Sequence, residues 1–108
     1  MAAEKIRTLN DLYRMKGIGV GKTMVTRSIA DLGVDFQLAV LRKVMSFTEF
    51  TNDNDPHGEH DFRSFEHEGR KIIFKIDYYD RKLEYGSEDP ADPLQTCRVL
   101  TVMLAEDY

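Results

Sequence analysis

Arg70-Lys-Ile-Ile-Phe-Lys-Ile-Asp-Tyr-Tyr79 decides the fold. Ile72, Phe74, Ile76 and Tyr78 fall on one side of an extended chain; Lys71, Ile73, Lys75, Asp77 and Tyr79 fall on the other. Successive side chains of a strand point to opposite faces, so this segment reads as a strand with an apolar face turned to a core. Glu68-Gly69 just before it is a turn, and residues 62–67 supply a partner strand, which together make a hairpin. Phe62 and Phe65 stand on opposite faces of that partner, so one of them meets solvent or a bulge intervenes. A short strand at 82–85 is expected to follow.

Upstream, Ile6, Leu9 and Tyr13, with Leu12 beside them, recur at helical spacing over residues 4–15, and Gly17 is a natural stop. Gly17-Ile-Gly-Val-Gly21 reads as a flexible loop, and Lys22-Thr-Met-Val-Thr26 favours a short strand because β-branched residues suit a pleated surface. Asp35 is placed to cap a helix over about 36–47, with Phe36, Val40, Val44 and Phe47 as its buried stripe. Residues 51–61 form a polar loop. Downstream, Asp92 and Pro93 set up a final helix. Its apolar residues Leu94, Cys97, Val99, Leu100, Val102, Met103 and Leu104 surround most of its circumference, so it is expected to be buried. The order of elements predicts an α+β fold: a small antiparallel sheet, arranged as a meander, with three helices packed mainly on one face.

With 108 residues the chain is expected to be one domain spanning 1–108. Its single cysteine, Cys97, allows no internal disulfide and suits a reducing compartment, so a cytoplasmic location is expected. The first residues hold no apolar stretch of leader length. The longest apolar run, Val99–Ala105, is far short of the ~20 residues that cross a bilayer, and no membrane partner is expected. The net charge of −4 is unevenly spread. Residues 1–43 carry eight bases against four acids, and residues 44–108 carry seven against fifteen. This asymmetry favours an oriented approach to a charged partner. With no interleaving of basic and aromatic residues in the basic half, direct nucleic-acid binding is not expected.

Gly17-Ile-Gly-Val-Gly21-Lys22-Thr23 lacks the first glycine of a phosphate-binding loop, a position held here by Lys16, and it has a helix before it and a strand after it, the reverse of that motif. Asp53, Asp55 and Gly58 overlap the start of a calcium loop, but His57 is a poor calcium ligand and Ser64 stands where a bidentate Glu is needed. A turn in which Asn and Asp side chains bond back to the backbone is the simpler reading. His57, Glu59, His60 and Asp77 are residue types that hold transition metals. Against that, His60 is expected to bond a neighbouring carboxylate or backbone group and pin the loop to the sheet, with Asp77 paired to Lys75. His57, His60 and Asp77 are therefore read as a structural polar cluster, with no cofactor and no bound metal expected.

Asn54-Asp-Pro-His-Gly-Glu-His-Asp-Phe62, Lys75-Ile-Asp-Tyr-Tyr-Asp80, Tyr85-Gly-Ser-Glu-Asp-Pro-Ala-Asp-Pro93 and Arg98-Val-Leu-Thr-Val-Met-Leu-Ala-Glu-Asp-Tyr108 read together as one signature. They resemble a small proteobacterial domain of unknown function, often carried on plasmids and other mobile elements. The resemblance implies, by analogy, an accessory or anti-defence role. The expectation is a non-enzymatic module that binds a protein of host defence (restriction or CRISPR) or of mobile-element machinery. Its contact residues would be Asp53, Asp55, Glu59, Asp61, Glu66, Tyr79, Arg81 and Tyr85, with the acids meeting a basic groove on the partner. The alternative is a metal-dependent hydrolase or nuclease that uses His57, Glu59, His60 and Asp77 to hold an ion and activate water.

Overall fold

The computed structural model describes residues 2–108. In chain order the elements are helix α1 (Ala2–Lys16), strand β1 (Gly21–Val25), a single helical turn α2 (Arg27–Ala30), helix α3 (Val34–Ser46), strands β2 (Phe62–His67), β3 (Arg70–Tyr79) and β4 (Cys97–Leu104), and a 3-10 turn, Ala105–Asp107. The strands form one sheet in the order β1-β4-β3-β2.

The β2–β3 hairpin pairs one-to-one from Phe62↔Lys75 to His67↔Arg70, without a bulge. Glu68 and Gly69 both take positive φ, 50° and 78°, as the tight hairpin turn that matches strand twist requires. Phe65 therefore faces the core, while Phe62 lies on the other face with its ring against Tyr108. β3 pairs antiparallel with β4, from Ile72↔Leu104 to Tyr79↔Cys97. β1 then joins the far side of β4 in parallel.

The fold class is α+β, but the sheet is mixed, not antiparallel throughout, because β1 runs alongside β4. The C-terminal segment is the larger correction: Cys97–Leu104 is a central strand, not a helix. Every β4 residue except Thr101 is buried. A strand covered on both faces reads as a continuous apolar run, which periodicity cannot tell from a buried helix, and Val99, Thr101 and Val102 favour the pleat. Asp92 still begins a turn, accepting from the Leu94 N–H at 2.9 Å and from Gln95 Nε2 at 2.7 Å, but the turn is not propagated. The third helix is instead α2, one turn long. No strand forms at 82–85, where Leu83 is left-handed (φ 60°) and only Gly86 bridges to Tyr79. α3 starts at Val34 after Gly33 (φ 106°), which places Asp35 in its first turn rather than at the cap.

The core lies between the helices and one face of the sheet. Ile72, Phe74 and Ile76 of β3 and Leu100, Val102 and Leu104 of β4 pack against Ile29 of α2 and Val40 and Val44 of α3. Among the described residues the other face carries no helix. β1 begins at Gly21 because the Tyr13 ring of α1 lies there, 2.7 Å from where a Cβ would stand.

Candidate functional site

The buried residues of α1 are Ile6, Asn10 and Arg14, four apart and hence on one side of the helix. Two of these three inward positions are polar: Asn10 is matched by partners from the polar loop and the sheet, and Arg14 by Val44 of α3 and Asp11 of α1. Asn10 is fully buried. Its amide donates to the Glu59 carbonyl and to the Tyr78 hydroxyl, both at 2.9 Å, and its carbonyl oxygen accepts from Arg98 Nε at 2.6 Å. The Tyr78 hydroxyl in turn donates to Glu59 Oε1 at 2.7 Å. Arg98 extends the network to the Pro90 carbonyl at 2.7 Å and lies over the Tyr78 ring. Burial, reinforced by the bond to Glu59, pushes the Tyr78 hydroxyl far above its ordinary value. Burial also lowers Arg98 and Arg14, though a guanidinium stays charged in a protein.

His60 closes the second half of the arrangement. Its backbone is left-handed (φ 57°), and its N–H donates to the buried Asp55 carboxylate at 3.2 Å. Its ring stacks on Phe50 at 3.9 Å, and Nδ1 lies 2.9 Å from Asp11. Arg14, beside Asp11, donates to the Val44 carbonyl at 2.6 Å, and its guanidinium sits 5.4 Å from the centres of both the Phe50 and Phe74 rings. Arg7 reaches the Gly58 carbonyl at 3.0 Å. The loop is thus fastened to α1 at Arg7, Asn10 and Asp11, over little more than one turn of helix. Its first half is a turn of the expected kind, with Asn54 bonding to Thr51 and to the Glu49 carbonyl.

The residues picked out from the sequence are dispersed by this geometry. Of the structural cluster, His60 is pinned as described, but its anchor is Asp11 of α1 and not the sheet. Asp77 projects from the helix-free face, paired with Lys75 at 2.7 Å, whose ammonium is held above its usual range by that bond. His57 is exposed. The four residues considered as metal ligands therefore do not converge, and among the described residues no group of three or more His, Cys, Asp or Glu side chains is placed to hold an ion. Of the proposed contact acids, Asp55 and Glu59 are engaged internally. Asp61 is half-buried, and its carboxyl is raised chiefly by burial. Asp53 and Glu66 are exposed. Sequence reasoning missed Asn10, Asp11, Arg14 and Arg98. The signal present was polar residues four apart from Ile6, and an arginine within the apolar C-terminal run.

Tyr79, Arg81 and Tyr85 belong to a different feature, the loop between β3 and β4. Asp80 accepts from the N–H groups of Lys82 and Glu84 at 3.1 and 3.0 Å, and Ser87 bonds Thr96 at 2.7 Å. Thr96 is anchored to the Asp89 carbonyl at 2.9 Å. On this bonded frame Tyr85 is 73% exposed and Leu94 79%. A shallow depression of about 550 Å³ between Asp80–Glu84 and Gln95 includes Arg81 and Tyr85 in its wall.

A family model described as "Protein of unknown function (DUF3768)" matches residues 25–107. The chain belongs to this family. The DUF3768 match takes in the polar loop, the hairpin, β4 and the β3–β4 loop. Asn10, Asp11 and Arg14, which complete the buried network, precede it. No curated protein and no solved structure matches the chain. No helix among the described residues is long and apolar enough to cross a membrane.

Proposed function

We propose that the protein is a non-enzymatic protein-binding module whose contact surface is centred on the β3–β4 loop. What carries this reading is the exposure of Tyr85 and Leu94 on a loop fixed by its own hydrogen bonds. Apolar and aromatic side chains held outward by an ordered frame lose little freedom on binding, and tyrosine with a neighbouring arginine is typical of interface hot spots. Tyr79 and Arg81 stand at the base of the same loop. Glu84 and Glu88, which line the depression beside Arg81 and Tyr85, would add charge at the rim, so association is expected to weaken as salt rises. Of the residues that suggested chemistry, Glu59 bonds Tyr78, His60 lies against Asp11, Asp77 pairs with Lys75 and His57 is exposed, so they do not gather at one point, which is why the hydrolase reading ranks below this one.

The setting we propose is that of an accessory protein of a bacterial mobile element acting on host defence, as the sequence signature implies. Immobilised protein is expected to retain one partner from a bacterial host lysate, and a Y85A/L94D variant to lose it. Equal retention by both would overturn the assignment of the surface. Expression of the protein is expected to raise plasmid transformation into a restricting host. No rise in restricting or CRISPR-bearing hosts would remove the defence role.

A further inference from the structure

The outer edge of β1 is open and chemically distinctive. The Val20 carbonyl accepts from the Arg98 N–H at 3.1 Å, and the Thr26 N–H donates to the Val102 carbonyl at 3.0 Å. N–H and C=O of one strand residue point the same way, and the next residue's point oppositely. Even-numbered residues of β1 therefore bond to β4, and the N–H and C=O groups of Gly21, Thr23 and Val25 are directed outward with no strand beyond them among the described residues. Natural sheets normally blunt such edges. At the opposite edge Lys43 donates to the Glu66 carbonyl and covers β2. Tyr13 of α1 packs over Gly21 and its hydroxyl meets that of Thr23 at 3.3 Å, but among the described residues no side chain bonds the outward main chain of β1, and Lys22, Thr23 and Met24 are all exposed.

The side chains along this edge specify what fits. Val20, Lys22 and Met24 alternate onto the helix-free face, with Val20 42% and Met24 47% exposed. An apolar–basic–apolar row asks for an apolar–acidic–apolar row beside it, since opposite charges and apolar pairs on neighbouring strands each stabilise the ladder. Charge also decides against a second copy of this chain. Two copies of β1 paired about Thr23 would set each Lys22 opposite the other copy's Met24, leaving both lysines without an acidic partner, so an acidic strand fits this edge better than a second copy does.

We propose that β1 is a docking edge for an extended segment of a partner protein, one that presents apolar, acidic and apolar side chains at alternate positions and joins the sheet as a fifth strand. Main-chain hydrogen bonds to Gly21, Thr23 and Val25 would supply the affinity, and Lys22 the selectivity. This rests on the binding-module reading and uses an edge next to the β3–β4 loop, since Lys22 and Met24 share a depression with Tyr79 and Leu83, but one that includes neither Tyr85 nor Leu94.

The probe is the palindromic peptide acetyl-Thr-Val-Thr-Glu-Thr-Val-Thr-amide, whose pattern is the same in parallel and antiparallel pairing. Added to the ¹⁵N-labelled full chain at up to millimolar concentration, it is expected to shift the Gly21, Thr23 and Val25 amide signals and slow their exchange. The peptide with Lys in place of Glu is expected to bind roughly fivefold more weakly. Thr23→Pro removes an outward N–H, at a position where proline is tolerated in sheets, together with the hydroxyl that meets Tyr13 at 3.3 Å, and is expected to abolish the shifts. Thr23→Val keeps the N–H and is expected to bind as the parent does. Unmoved amides, equal binding of the Lys peptide, or protection that grows with protein concentration in the absence of peptide would overturn the proposal. Partner retention lost in Y85A/L94D would still stand in each of those cases, so this edge and the loop surface can fail separately.

Discussion

His60 Nδ1 lies 2.9 Å from the carboxylate of Asp11, a residue 49 positions earlier in the chain. This contact, with the stack on Phe50, holds the polar loop against α1. His60→Ala is expected to cost about 1–2 kcal/mol in urea unfolding and to open the backbone of residues 55–60 to hydrogen exchange. Asp11→Asn, which keeps a hydrogen-bonding oxygen, is expected to cost less than half of that.

Asn10→Ala is the more damaging change. It strips partners from Arg98 Nε, the Tyr78 hydroxyl and the Glu59 carbonyl around a fully buried side chain, the bond to Arg98 being itself buried. A buried donor or acceptor left unmatched carries its full desolvation penalty, so a loss of about 2–4 kcal/mol is expected. Asn10→Ala combined with Arg98→Met is expected to be less damaging than the sum of the two single changes, as a double-mutant cycle would record.

Asp61 is raised in the folded chain mainly by burial, so folding favours its neutral form. Stability from this group is fully present below the ordinary carboxylate range and is lost as pH rises through the folded-state value. Asp61→Asn mimics the neutral form. It is expected to be more stable than the parent by up to about 1 kcal/mol at pH 7, allowing for partial exposure, and equal to it near pH 3. Urea midpoints at the two pH values check this.

Tyr85 and Leu94 project outward, and Y85A/L94D is expected to unfold within about 0.5 kcal/mol of the parent. Circular dichroism melts of the two proteins decide whether any loss of binding reports the surface and not the fold.

The hairpin was legible in the sequence because its alternation is clean and its register is fixed by a two-residue turn. Helices α1 and α3 were legible from apolar spacing, and so was the strand after the glycine loop. β4 was not, since a strand buried on both faces has no polar side to reveal a period of two. The single turn of α2 was too short to show a period. At the candidate site, the pairing of His60 with a carboxylate and of Asp77 with Lys75 could be anticipated from residue type and local spacing. That His60 reaches Asp11, and that Arg98 and Asn10 meet across 88 residues, could not, because such contacts depend on how α1 lies over the sheet.

The placement of β4 in the middle of the sheet governs the order in which the protein can be assembled as it is made. A chain emerged from the ribosome as far as Pro93 holds β1, both main helices and the hairpin, but not the strand that joins β1 to β3. Until then β1 has no neighbour, and one edge of β3 lies bare with its apolar face. The hairpin and helices are thus expected to wait as a loosely collapsed intermediate. A chain truncated after Pro93 is expected to be open to protease, and one extended through Leu104 to be closed in a single step.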